Sequence, residues 1–130
     1  MLHHLSLGVR DLSRSIRFYD AVLAELGWVL VWSDVRPGES GQGAGYGTSG
    51  GDDLVALKQR DDSCVAPGFH LALAAKDRAA VARFHARALA CGGTDAGAPG
   101  LRPHYGPDYY AAFVSDPDGH RLEAVCLAPG

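Results

Sequence analysis

The chain has 130 residues, of which 47% are hydrophobic and 21% charged, with a formal charge of −3; this fits one globular domain with a core that needs no staples. Without a Lys/Arg cluster there is no electrostatic footprint for nucleic acid or for an anionic membrane surface. No window holds the ~18 apolar residues of a spanning helix, the N-terminus lacks a signal-peptide pattern, and three scattered cysteines without a C-x-x-C suit a reducing compartment, so a cytoplasmic location is expected.

Residues 2–10 alternate His4, Ser6 and Gly8 with Leu5, Leu7 and Val9, the pattern of a half-buried strand. Asp11 is a good N-cap, and Ile16, Tyr19, Val22, Leu23 and Leu26 follow at helical spacing until Gly27 stops the helix. Residues 28–35 (WVLVWSDV) read as a second strand, residues 36–43 as a loop, and the stretches 44–48 and 54–59 as two short strands.

The opening then returns. HLSLGVRDLSRSIRFYDAVLAELGW (4–28) recurs without a gap as HLALAAKDRAAVARFHARALACGGT (70–94), matching His4 to His70, Asp11 to Asp77, Phe18 to Phe84 and Gly27 to Gly93. Two copies of this length mean a duplicated module rather than a solenoid. The second copy predicts a strand from His70, a helix capped by Asp77, and a short strand at 94–96 running into the loop GAPGLRPHYGPD. A hairpin of 109–115 with 120–127 follows, across the turn Asp116-Pro117-Asp118-Gly119. The expected fold is α+β: two tandem β-α-β-β-β modules, 1–62 and 69–130 with a linker at 63–68, forming a cup-shaped, mostly antiparallel eight-stranded sheet.

In each half the helix covers the Leu-rich face of the first strand and leaves the histidine face free. In the last strand, R-L-E-A-V-C, Glu123 alternates with core residues and falls on the face opposite the helix. Two imidazoles and a carboxylate converging in a concavity would form a 2-His-1-carboxylate set that leaves positions on a divalent metal open. The competing structural reading is that the histidines are hydrogen-bonded wall residues and that Glu123 pairs with Arg121 or Arg102. Arg102, His104, Tyr109 and Tyr110 form a second cluster suited to binding a substrate, the guanidinium as a bidentate fork for a carboxylate or phosphonate. Whether Tyr109 or Tyr110 faces the cup is left open by the pattern. Trp28, Trp32 and Phe113 are candidates for the cavity wall or the core. His3 and His85 read as surface or structural, His120 as a turn residue, and Cys64, Cys91 and Cys126 as buried and inert. Gly47-Thr48-Ser49-Gly50-Gly51 formally satisfies G-x-S-x-G, but a strand follows where a nucleophile elbow needs a helix.

HLSLGVRDLSRSIRFYDAVL at the start, FHLALAAKD in the middle and AAFVSDPDGHRLEAV at the end carry a resemblance to the vicinal oxygen chelate superfamily, the glyoxalase, bleomycin resistance and dioxygenase family. The resemblance spans nearly the whole chain. It implies a cup of paired modules, usually in a homodimer, with a divalent metal (Zn, Ni, Mn or Fe) ligated at the positions of His4, His70 and Glu123. In several members modules pair between chains, which would bring His4 of one subunit to His70 and Glu123 of the other. Glyoxalase I has a fourth ligand at the position of Val55 or Ala56, neither of which binds metal, so that isomerisation is not expected here. Two functions stay open: a metal-dependent lyase, thiol transferase or dioxygenase-like enzyme acting on a small molecule, and a metal-free drug-binding protein of the bleomycin-resistance type.

Overall fold

A computed structural model describes all 130 residues. In order, the elements are β1 (Leu5–Val9), α1 (Leu12–Ala24), β2 (Val29–Asp34), β3 (Gly43–Gly47) and β4 (Val55–Gln59), then β5 (Leu71–Ala74), α2 (Arg78–Ala90), β6 (Thr94–Leu101), β7 (Tyr110–Ser115) and β8 (Arg121–Cys126). This is the duplicated β-α-β-β-β order. The strands form two four-stranded sheets, ordered β1-β4-β3-β2 and β5-β8-β7-β6, and no strand pair joins one to the other. The first and last strands of each module run parallel and the other neighbours antiparallel. The β-α connection places each helix across its own sheet.

Both helices begin where the sequence caps them. Asp11 accepts from the Arg14 N–H at 3.0 Å and Asp77 from the Ala80 N–H at 2.8 Å, satisfying donors that an uncapped first turn leaves unpaired. α1 buries Leu12, Phe18, Tyr19, Val22 and Leu23, and α2 buries Ala80, Val81, Phe84 and Ala88. The helices pack on each other as well as on the sheets, so one cluster of 20 buried residues draws on both modules. The modules share a core instead of folding around two.

The turn Asp116-Pro117-Asp118-Gly119 fastens the second module to the first. Tyr19 donates its hydroxyl to Asp116 at 2.6 Å, and the Arg10 N–H donates to Asp118 at 2.9 Å. His120 Nε2 lies 2.7 Å from the Gly8 carbonyl. Burial pushes the Asp116 carboxyl above its usual range against the opposing hydrogen bond from Tyr19, and holds the Tyr19 phenol well up. His120, expected only as a turn residue, is buried at 6% exposure and ties the modules together; the partner it needs is 112 positions away and no local pattern announces it.

Two further expectations are corrected. The strand expected at 94–96 continues through Pro99 to Leu101, with register shifts at Asp95/Gly97 and Gly97/Gly100. β6 is an edge strand, where proline's missing N–H costs no ladder bond and bulges are tolerated. Of the cysteines, Cys126 is buried, but Cys91 is only partly covered and Cys64 is exposed in the segment between the modules. No helix is long and apolar enough to cross a membrane.

Candidate functional site

Strand alternation assigns the faces. In the second module Leu71, Leu73, Leu122, Ala124 and Cys126 turn toward the helices. Register then places Ala72, Glu123 and Phe113 side by side on the opposite, open face, with His70 at its end. His70 Nε2 lies 3.3 Å from Glu123 Oε1. The Tyr109 hydroxyl donates to the other oxygen, Oε2. Glu123 is 2% exposed whereas the His70 side chain is half-exposed, so the carboxylate is fixed from below and the imidazole reaches into the open. Glu123 pairs with neither Arg121 nor Arg102. Burial and the neighbouring carboxylate push the Tyr109 phenol up to about 12, which keeps it a hydrogen-bond donor across the neutral range.

The rest of the second cluster surrounds this pair unevenly. The His104 ring stacks 4.1 Å from Tyr105, and Tyr105 lies 5.2 Å from Tyr109, giving a line of rings leading to Glu123. Tyr105 was not among the expected site residues; its position in a loop gives no periodicity from which to assign a face. The Arg102 guanidinium lies 5.5 Å from the centre of Phe113 and donates to the Ala98 carbonyl at 2.8 Å. Tyr110 turns the other way: it packs on the core, with Arg78 5.1 Å from its ring. The register of β7 on β8 therefore answers the open choice, with Tyr109 on the Glu123 side and Tyr110 on the core side.

The first module presents an equivalent face. Leu7 and Val9 are buried, and His4 and Ser6 are exposed on the other side. His4 Nδ1 lies 2.9 Å from His3 Nδ1, and neither approaches Glu123. Ala56, paired with Ser6 and Gly45, lies on this open face, and Val55 turns into the core. Within one chain no three His, Cys, Asp or Glu side chains gather closely enough to hold a metal ion. His70 and Glu123 supply two converged donors; His4 stands at the corresponding place on a different sheet.

A groove of about 650 Å³ lies elsewhere, between the β2–β3 loop and the start of α1, and contains none of these residues. Its two glutamines are occupied structurally, Gln42 accepting from the Arg36 N–H and Gln59 from the Leu12 N–H. The chemistry therefore points to the open sheet faces and not to that groove.

A model of the Glyoxalase/Bleomycin resistance protein/Dioxygenase superfamily matches residues 1–124. The chain belongs to this superfamily. None of the curated proteins matches significantly, but solved structures do. A glyoxalase/bleomycin resistance protein from Albidiferax ferrireducens T118 is 29% identical over 97% of both chains, with a TM-score of 0.75. A glyoxalase-related enzyme from Fulvimarina pelagi is 25% identical over 95% of this chain and 86% of its own, with a TM-score of 0.68. The fosfomycin resistance protein FosX from Mesorhizobium loti shares the fold at 22% identity and a TM-score of 0.68, over 97% of this chain and 91% of its own. Members of the superfamily bind small molecules, commonly use divalent metals and are often dimers.

Proposed function

We propose that this superfamily member is a small-molecule enzyme whose site is built by two copies of the chain, with His4 from one and His70 and Glu123 from the other holding a divalent metal. The observation that carries the reading is the His70–Glu123 pair at 3.3 Å. A buried carboxylate beside an exposed imidazole, on a face no strand of its own chain covers, is an incomplete ligand set that a second copy's His4 would complete. A metal held there would act as a Lewis acid on a substrate oxygen. Tyr109 occupies Glu123 Oε2 and leaves Oε1 turned toward His70, so it orients the carboxylate as a supporting residue does. Arg102 and His104 stand at the rim to receive a polar substrate. The position at which glyoxalase I carries a ligand falls on Val55 or Ala56, and the lack of a metal-binding side chain at either supports a lyase, thiol transferase or dioxygenase-like reaction over that isomerisation. It also supports the second reading, a metal-free binding cup.

The test is elemental analysis of protein purified without chelator or affinity tag, with a His70→Ala variant alongside. About one metal per site in the parent, lost in the variant, is expected. No metal after reconstitution with Fe, Mn, Ni and Zn would overturn the enzyme reading in favour of the binding cup. Tyr109→Phe should bind the same metal ~10–100-fold more weakly with an unchanged circular dichroism spectrum; isothermal titration measures the difference.

A further inference from the structure

The open face of the first module carries an aromatic shelf outside the proposed metal ligands. β2 is bulged: Leu30 pairs with Tyr46 and Trp32 with the next β3 residue, Gly45. An even strand would put Leu30 and Trp32 on the same face; the bulge sends Trp32 to the opposite one. There its indole lies across two glycines. A Cβ on Gly43 would come within 2.9 Å of Trp32 Cη2, and a Cβ on Gly45 would collide with the pyrrole end of the ring. Asp53 accepts from Trp32 Nε1 at 3.1 Å and fixes the ring's rotation.

Lys58, one strand over in the row of Gly43, holds its ammonium 5.3 Å from the indole centre. It makes no salt bridge, unlike Arg36 and Arg60, each held by a carboxylate at 2.7–2.8 Å. The strand between them contributes only Gly43 and Gly45, and Ala56 leaves the adjoining floor low. A tryptophan re-aimed by a bulge, cleared of side chains beneath it, fixed by a carboxylate and topped by an unpaired cation has the chemistry of a binding surface.

We propose that Trp32 and Lys58 form the substrate-binding shelf of the shared cup, taking a flat unsaturated body on the indole and its carboxylate or phosphonate on the Lys58 ammonium. This rests on the reading that the first module's open face lines the cup. It narrows the occupant to an anion, because a cationic drug would meet Lys58 with like charge. Stacking and cation–π contact supply affinity for the planar part, and a charge-assisted hydrogen bond selects the anionic end.

The chain has two tryptophans, so a Trp28→Phe background leaves Trp32 as the sole indole reporter. Phenylphosphonate, benzoate, neutral benzyl alcohol and inorganic phosphate are titrated against its fluorescence. At least one aromatic anion should quench saturably and bind about tenfold tighter than both benzyl alcohol and phosphate; the tighter of the two identifies the headgroup. Lys58→Met should erase the preference over benzyl alcohol. In the Trp28-containing protein, Trp32→Leu should weaken the preferred anion by a similar factor, read by calorimetry. Equal binding of benzyl alcohol and the anions, or an unchanged preference in Lys58→Met, would overturn the proposal, as would phosphate binding as tightly as phenylphosphonate. Metal content of the same preparation distinguishes the two failures: metal bound without anion preference defeats the shelf alone, and absence of metal defeats the metal site.

Discussion

Glu123→Gln is expected to lose its divalent metal, by more than the ~10–100-fold in affinity that removing a supporting residue costs, and with it any metal-dependent activity. The side chain is 2% exposed and makes two contacts, one with the Tyr109 hydroxyl and one with His70 Nε2 at 3.3 Å. The amide keeps the volume and can still accept from Tyr109, so the fold is retained. What disappears is the negative charge that a hard or borderline cation requires of an oxygen ligand. Glu123→Ala would be less informative, because it leaves the phenol without its acceptor and opens a hole in the sheet. Metal titration by calorimetry, with the unfolding midpoint of the apo-protein as control, checks the expectation. Retained affinity with an intact fold would remove Glu123 from the ligand set.

The largest effect on stability should come from Asp116→Ala. This carboxylate is 3% exposed and accepts from Tyr19 at 2.6 Å, the Asp118 N–H at 2.9 Å and the His120 N–H at 2.8 Å. Truncation leaves three donors at the seam between the modules without their acceptor, each costing ~1–3 kcal/mol where water cannot reach. A loss of about 4 kcal/mol is expected, or a fall of roughly 2 M in the urea midpoint at an m-value of about 2 kcal/mol/M. Tyr19→Phe removes a single donor and should cost about 1–2 kcal/mol. The Asp116 carboxyl is raised by burial, so ionising it opposes folding. This contribution is absent in acid below its unfolded value and appears as pH rises through the folded one. Its sign is opposite to that of a salt-bridged carboxylate. In the first module, Gly45→Ala should cost about 1–3 kcal/mol by forcing the Trp32 indole off β3, with a shift in tryptophan emission as the second readout.

The modules were legible because their signals are local and repeated. Asp11 and Asp77 cap where the sequence places them, and alternation alone put His70 and Glu123 on one face of the second sheet. What escaped depends on partners far away in the chain. The Tyr109/Tyr110 choice turned on the pairing of Phe113 with Glu123 across the hairpin, which composition does not encode. His120 looked like a turn residue because the Gly8 carbonyl it binds belongs to the other module. The sequence predicts a strand only as far as Ala96 because glycine and proline ordinarily end strands, and only the edge position of β6 makes them tolerable. The Trp32 face was hidden for a similar reason: a bulge between Leu30 and Trp32 reverses the parity on which alternation relies.

Subunit complementation tests most directly whether two chains share one site. His4→Ala and His70→Ala chains are unfolded together in equal amounts, refolded, and their tightly bound metal is compared with that of each variant alone and of the parent. If the ligands come from different copies, each variant alone binds almost none. Half the dimers in the mixture are then heterodimers with one intact site of two, so about a quarter of the parent's metal should return. Ligands drawn from a single chain would leave the mixture as empty as the separate variants, and that result would contradict the shared site.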